Sequence, residues 1–163
     1  MSKSAGKMKS TEIIIANFQF LMDEYGYSIA RDIYSSAIMG NAELVLISQT
    51  TGIKVVVDRS QVLVNIGDLS RPEDEWMELS DVVHFYAPTL VDVYSFPTVP
   101  QNNQDNIESQ VKRLVRILRQ YCEPLLKGDF SNEDQIKEIE EKRVEEMLEY
   151  FKRLSEDKNR SRE

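Results

Sequence analysis

The acidic stretch between Asp68 and Asp81 has the side chains best suited to chemistry or recognition. Its six acidic residues and one arginine give a local charge of −5, more than half of the net charge of −8. The stretch also holds Trp76, the one tryptophan of the chain. The candidate partner-binding residues are therefore Asp68, Glu73, Asp74, Glu75, Trp76, Glu78 and Asp81.

Two interpretations of this stretch compete. It is either a docking patch for a cationic protein, with Trp76 as an anchor, or a solvated connection whose tryptophan packs on the sheet or on a short helix. Tryptophan is frequent at binding hot spots, and charge of one sign speeds encounter with an opposite partner. A lone tryptophan in a small domain is usually buried at least in part, which favours the second interpretation.

Asp81 and His84 raise the question of a metal site. Their spacing places both on one face of a helix, which gives half of a ligand set. Glu75 and Glu78 continue the spacing of three, but Pro72 breaks any longer helix. The sequence nominates no further ligand, so we expect His84 to be a surface residue and expect no metal or cofactor.

Cys122 is the one cysteine and the obvious candidate nucleophile. It falls near the C-terminal end of a predicted helix, where the helix dipole opposes a thiolate. We interpret it as core. The six glycines are not clustered into a loop that could hold phosphate. No catalytic residue is predicted, and a small hydrolase using Asp81 and His84 is the least favoured alternative.

A basic stripe on a predicted helix is the feature that could contact RNA: Lys112, Arg113, Arg116 and Arg119. An acidic chain with a pI near 4.8 is poorly suited to displace counterions from phosphates. We expect no nucleic-acid partner. The simpler interpretation pairs the stripe with the many acidic residues of the following helix.

Composition places the chain among soluble globular proteins, with 41% hydrophobic and 29% charged residues. One cysteine forms no internal disulfide, which suits a reducing cytosol. The apolar run of residues 13–16 is too short for a signal peptide, and no stretch approaches the ~20 apolar residues that span a bilayer. We expect a cytoplasmic, bacterial-type protein without a membrane partner.

The elements that must position these residues fall into two parts. Helical spacing predicts a helix over 11–25, ended by Gly26. Alternating and apolar runs predict strands over 27–34, 42–49, 53–59 and 62–67. With short turns, these four strands predict an antiparallel meander. Ser80 is the expected cap of a short helix over 81–86.

Two longer helices are predicted to close the chain, over 104–127 and 132–157. The first has an apolar stripe of Ile107, Val111, Leu114, Val115, Leu118, Tyr121 and Leu125. The second has one of Ile136, Ile139, Val144, Met147, Leu148, Phe151 and Leu154. Because the connection is short, we expect an antiparallel hairpin, and the same stripes could pair two copies of the chain in a homodimer.

The expected fold class is α+β: an N-terminal helix, a four-stranded antiparallel meander with helices on one face, a short helix and a C-terminal two-helix hairpin. Residues 11–157 form one domain, made of a sheet part (11–87), a linker (88–103) and the hairpin (104–157). We expect a disordered tail over 1–10 and a frayed tail over 158–163.

Several phrases carry a resemblance: FLMDEYGYSI, GNAELVLIS, GIKVVVDRSQVLVNIG and WMELSDVVHFY, within residues 18–86. The pattern resembles small bacterial α+β proteins, many of them uncharacterised and some of an immunity type that neutralises secreted toxins. The resemblance implies a binding role and transfers no site residue. Our leading hypothesis is a non-enzymatic protein-binding module, in the form of an immunity-type inhibitor of a basic partner; the alternative is a structural homodimer.

Overall fold

A computed structural model describes residues 9–35, 41–90 and 106–162 of the chain. Most of the predicted N-terminal tail lies outside the described residues, as do residues 36–40 of the connection between the first two predicted strands. Residues 91–105, which cover most of the predicted linker and the start of the following helix, lie outside them too. The described part has an α+β architecture, as the sequence predicts.

The sheet is antiparallel and follows the chain in its strand order. Its strands are β1 (Ser28–Ser35), β2 (Asn41–Ile47), β3 (Thr51–Asp58), β4 (Gln61–Asp68) and β5 (Met77–Glu78), paired in the order β1-β2-β3-β4-β5. The four predicted strands are confirmed. The prediction missed β5, whose two residues pair with Asn65 and Ile66 of β4. A strand of two residues leaves no alternating pattern to detect.

The N-terminal helix α1 (Ser10–Tyr25) packs on one face of the sheet. The backbone N–H of Lys9 donates to the Glu12 carboxylate at 2.9 Å, which stabilises the first turn. Gly26 ends the helix with a left-handed φ of 72°. Ile14, Phe18 and Leu21 are fully buried against alternate strand residues, so α1 supplies one side of the core.

Four more α-helices are described: α2 (Leu79–Tyr86), α3 (Ile107–Tyr121), α4 (Glu123–Leu126) and α5 (Glu133–Arg160). Two 3-10 helices, Glu73–Glu75 and Pro88–Leu90, flank β5 and α2. The single helix predicted over 104–127 is wrong, because the chain leaves helical geometry at Cys122 and restarts with Pro124 in the first turn of α4. Ser80 is not the cap of α2, since the helix begins at Leu79, two residues before the predicted start, and Glu78 occupies the cap position.

The C-terminal helices do not form the expected antiparallel hairpin. Helix α3 packs against α1 and β4, whereas α5 packs mainly against α2. The apolar stripe of α3 is therefore covered mainly by α1 and the sheet, and not by α5 as a hairpin would require. The short helix α4 and Gly128, with φ of 90°, redirect the chain between them.

The predicted pairing of the basic stripe of α3 with the acids of α5 is accordingly wrong. Arg119 instead pairs with Glu24 of α1 at 3.0 Å, and its guanidinium lies over the ring of Phe20. Lys112 pairs with Glu108 one turn earlier in its own helix. The helix predicted over 132–157 is longer than expected at its C-terminal end, since α5 continues to Arg160.

Candidate functional site

From Asp68 to Trp76 the acidic stretch crosses the face of the sheet opposite α1, and at Met77 and Leu79 it returns to the core. Ile53 and Ile66 are register partners in the core, so the neighbouring pair of Gly52 and Gly67 faces the other way. Asp68 begins the crossing and accepts a hydrogen bond from the backbone N–H of Ser70 at 2.8 Å. That bond lowers the pKa of the Asp68 carboxyl.

Trp76 is buried, with 6% of its surface exposed. Its ring lies over Gly52 and Gly67, where an added Cβ at either position would stand 2.1 Å from an indole carbon. The indole Nε1–H donates to the carbonyl of Arg71 at 3.3 Å. The ring thus packs on the sheet, as the second interpretation of the stretch expects, and offers no exposed face as an anchor.

Glu73 is held by cations of the sheet. Its carboxylate accepts hydrogen bonds from Arg31 at 2.9 and 2.7 Å and lies 3.8 Å from the Lys54 ammonium. These bonds from Arg31 lower the pKa of the Glu73 carboxyl. Arg31 also bonds to Glu43, so β1, β2 and the 3-10 turn of Glu73–Glu75 are tied together.

Asp81 and Glu78 are both paired with Arg143 of α5. Arg143 donates from Nε and Nη2 to the two oxygens of Asp81 at 2.8 and 2.9 Å, and its Nη2 lies 3.3 Å from Glu78. Asp81 is only 2% exposed. His84 lies on the exposed side of α2. The two residues of the supposed metal half-site therefore face different surroundings.

Asp74 and Glu75 remain exposed and lie beside α5. Together with residues of that helix they line an open groove. We call it the acidic groove; its lining is Asp74, Glu75, Lys137, Glu140, Glu141, Val144, Glu145 and Leu148. Of the predicted partner-binding residues, the structure brings only these two to the groove.

The acidic groove has an apolar floor and an acidic rim. Val144 and Leu148 supply the apolar surface, and five carboxylates surround it against one ammonium. That ammonium, on Lys137, lies 3.0 Å from Glu133. Partial burial, followed by the nearby charge of Asp81, raises the pKa of the Glu140 carboxyl. A cation placed here would relieve this repulsion.

Beyond the groove, α5 projects into solvent. From Glu145 to Arg162 every residue is exposed. Apolar side chains nevertheless continue along this part, and their exposed fractions are Met147 44%, Leu148 62%, Tyr150 60%, Phe151 56% and Leu154 39%. Of the apolar face predicted for this helix, only Ile136 is fully buried.

Other reactive groups are sequestered. Cys122 is fully buried, and burial raises the pKa of its thiol to about 12. Within residues 9–35, 41–90 and 106–162, no three His, Cys, Asp or Glu side chains are grouped so as to hold a metal ion. No helix of the same residues is long and apolar enough to cross a membrane.

Comparisons with known proteins identify no matching protein-family model, no similar curated protein and no similar solved structure. The protein is described by its own fold and groove. It is an α+β protein with a five-stranded antiparallel sheet and a long C-terminal helix, and an acidic groove lies between that helix and the 3-10 turn of Glu73–Glu75.

Sequence reasoning missed the half of the groove that α5 contributes. A signal was present, because Val144 and Leu148 stand one turn apart while Glu141 and Glu145 follow the same spacing beside them. The apolar stripe instead predicted a buried face. Only the tertiary structure shows that α5 packs on α2 near its N-terminal end, while the apolar stripe continues into the part of the helix that is exposed to solvent.

Proposed function

We propose that this protein is a non-enzymatic protein-binding module, and that its acidic groove takes a basic amphipathic helical segment of a protein partner. One observation carries the proposal: an apolar floor at Val144 and Leu148 is surrounded by five carboxylates. The docking surface differs from the one expected on the 68–81 stretch alone, since three of its six acids, Glu73, Glu78 and Asp81, are ion-paired within the fold.

The chemistry of the groove selects such a segment. Contact with apolar side chains of a partner would remove the surface of Val144 and Leu148 from water, and an amphipathic helix presents such side chains in a stripe. Its rim favours lysine and arginine flanking that stripe, and excess negative charge steers a cation towards it. An acidic or neutral helix would leave the carboxylates of Asp74 and Glu75 without a counter-charge.

An immunity-type inhibitor of a basic protein is a module of this kind, and we extend the proposal to that role. The acidic groove supports it because an inhibitor of a cationic protein needs a surface of opposite charge. The buried, free thiol of Cys122 is compatible with a reducing, cytoplasmic setting.

Titration with a synthetic peptide tests the proposal. A helical peptide of about 18 residues, with leucines on one face and lysines on the other, should bind when followed by calorimetry. A scrambled peptide of the same composition, which has no apolar face, is the peptide control. Binding should weaken as salt is raised from low to physiological strength.

Paired variants locate the binding on the groove. Asp74→Asn with Glu75→Gln removes two rim charges and should weaken binding about tenfold. The matched control, Asp23→Asn with Asp32→Asn, removes two exposed charges of α1 and β1 and should leave affinity unchanged. Equal affinities for the two double variants, or no preference between the two peptides, would reject the assignment of the groove.

A further inference from the structure

We infer that the basic helical segment taken by the acidic groove belongs to a second copy of this chain, namely the projecting end of its own α5. The inference rests on the proposed function, because it names the partner of the same groove. It follows from the distribution of charge and apolar residues along one helix.

Charge is segregated along α5. Residues 133–148 contain seven acidic and three basic side chains, a net charge of −4. Residues 149–162 contain three acidic and five basic side chains, a net charge of +2. The acidic part borders the groove, and the basic part is the exposed projection. Two copies laid antiparallel would therefore set opposite charges against each other at both ends.

The apolar residues match in the same arrangement. With the two-fold axis level with residue 149, Val144 lies opposite Leu154 of the second copy, and Met147 lies opposite Phe151. At 100° per residue these four side chains share one side of the helix. All but Val144 are exposed by more than a third in the single chain, so pairing would cover them.

The same register pairs charges beside the apolar contacts. Glu140 comes opposite Lys158 of the second copy on the apolar side of the helix. Each contact occurs twice, as a two-fold interface requires. Glu149, which would meet its own copy at the axis, lies on the far side of the helix and escapes repulsion.

Sedimentation velocity over a concentration series tests the pairing on the full chain. The wild type should convert from monomer to dimer as concentration rises. Phe151→Asp with Leu154→Asp should abolish the dimer without unfolding the protein, because both side chains are exposed in the single chain. A wild type that stays monomeric at the highest concentration would overturn the inference.

Complementary charge reversals test the register. Variant A (Glu140→Lys) and variant B (Lys158→Glu) should each dimerise about tenfold more weakly than wild type. An equimolar mixture should recover a dimer, because both Glu140–Lys158 charge pairs become opposite in sign again. A mixture no tighter than A or B alone would exclude the register.

The control for charge alone is Glu149→Lys, the same change on the far side of the same helix, which should leave dimerisation unchanged. The peptide titration separates the two proposals. A monomeric wild type that still binds the basic peptide through Asp74 and Glu75 would keep the proposed function and assign the groove to a foreign partner. A monomer that binds no peptide would reject both.

Discussion

Arg143 binds Asp81 through two parallel hydrogen bonds, 2.8 Å from Nε to Oδ1 and 2.9 Å from Nη2 to Oδ2. The pair joins α5 to α2, and the carboxylate is almost fully buried. Bidentate geometry fixes the orientation of both side chains. The base of the long helix, and with it the groove, is thereby held beside the 3-10 turn.

Removing the charge of Asp81 should destabilise the fold. Asp81→Asn keeps the volume but weakens both bonds, and we expect a loss of about 1–3 kcal/mol in the free energy of unfolding. Urea denaturation at neutral pH measures it. Glu78→Gln, which alters the exposed partner of the same arginine, should change stability by less than about 0.5 kcal/mol. Equal effects of the two substitutions would contradict the structural role of the buried pair.

Gly67→Ala should displace the indole of Trp76 from the sheet. The new Cβ would stand 2.1 Å from an indole carbon, so the ring must move. We expect a loss of about 1–3 kcal/mol from overpacking. Because Trp76 is the one tryptophan, its fluorescence should shift to longer wavelength as the ring meets water. An unshifted spectrum with unchanged stability would show that the indole ring of Trp76 does not pack closely on Gly67.

Glu73 should contribute stability that is lost in acid. Its bonds from Arg31 depress the pKa in the folded chain below the ordinary value of 4.5. A depressed pKa stabilises the fold above the unfolded value and loses that effect as pH falls through the folded one. The difference between wild type and Glu73→Gln should therefore be largest above about pH 5 and shrink in more acidic solution. A difference independent of pH would contradict the pairing.

Gln110 should prove necessary to the turn between β3 and β4. It is fully buried, accepts from the backbone N–H of Val62 at 3.0 Å and donates to the carbonyl of Ser60 at 2.8 Å. Gln110→Met fills the space but leaves both groups unsatisfied, with an expected loss of about 2–3 kcal/mol. Gln135→Met, at an exposed position of α5, is the matched control and should be nearly neutral.

Truncation after Glu149 should separate stability from assembly. The removed part of α5 is exposed along its whole described length. The free energy of unfolding should change by less than about 0.5 kcal/mol. Dimerisation should disappear, because Phe151, Leu154 and the basic side chains are lost together. A large drop in stability would show that the projection packs on the domain.

The meander and the N-terminal helix were predictable because their signals are local. Ile14, Phe18 and Leu21 follow helical spacing, and the strands alternate or run apolar between turn residues. The burial of Trp76 also agrees with the favoured interpretation of the 68–81 stretch. The packing partners of the C-terminal helices were not predictable. An apolar stripe such as that of α3 indicates that one side of the helix is buried, but not which element covers it.

By itself, the sequence determined the α+β fold class, the order of the N-terminal helix and the four longer strands, and the local charge of the 68–81 stretch. Tertiary structure alone decided how that charge is used. It placed Arg31 and Arg143 beside Glu73 and Asp81, and left Asp74 and Glu75 beside α5. Composition fixes how many carboxylates a segment carries. Which of them face cations and which face a groove depends on contacts between residues far apart in the chain.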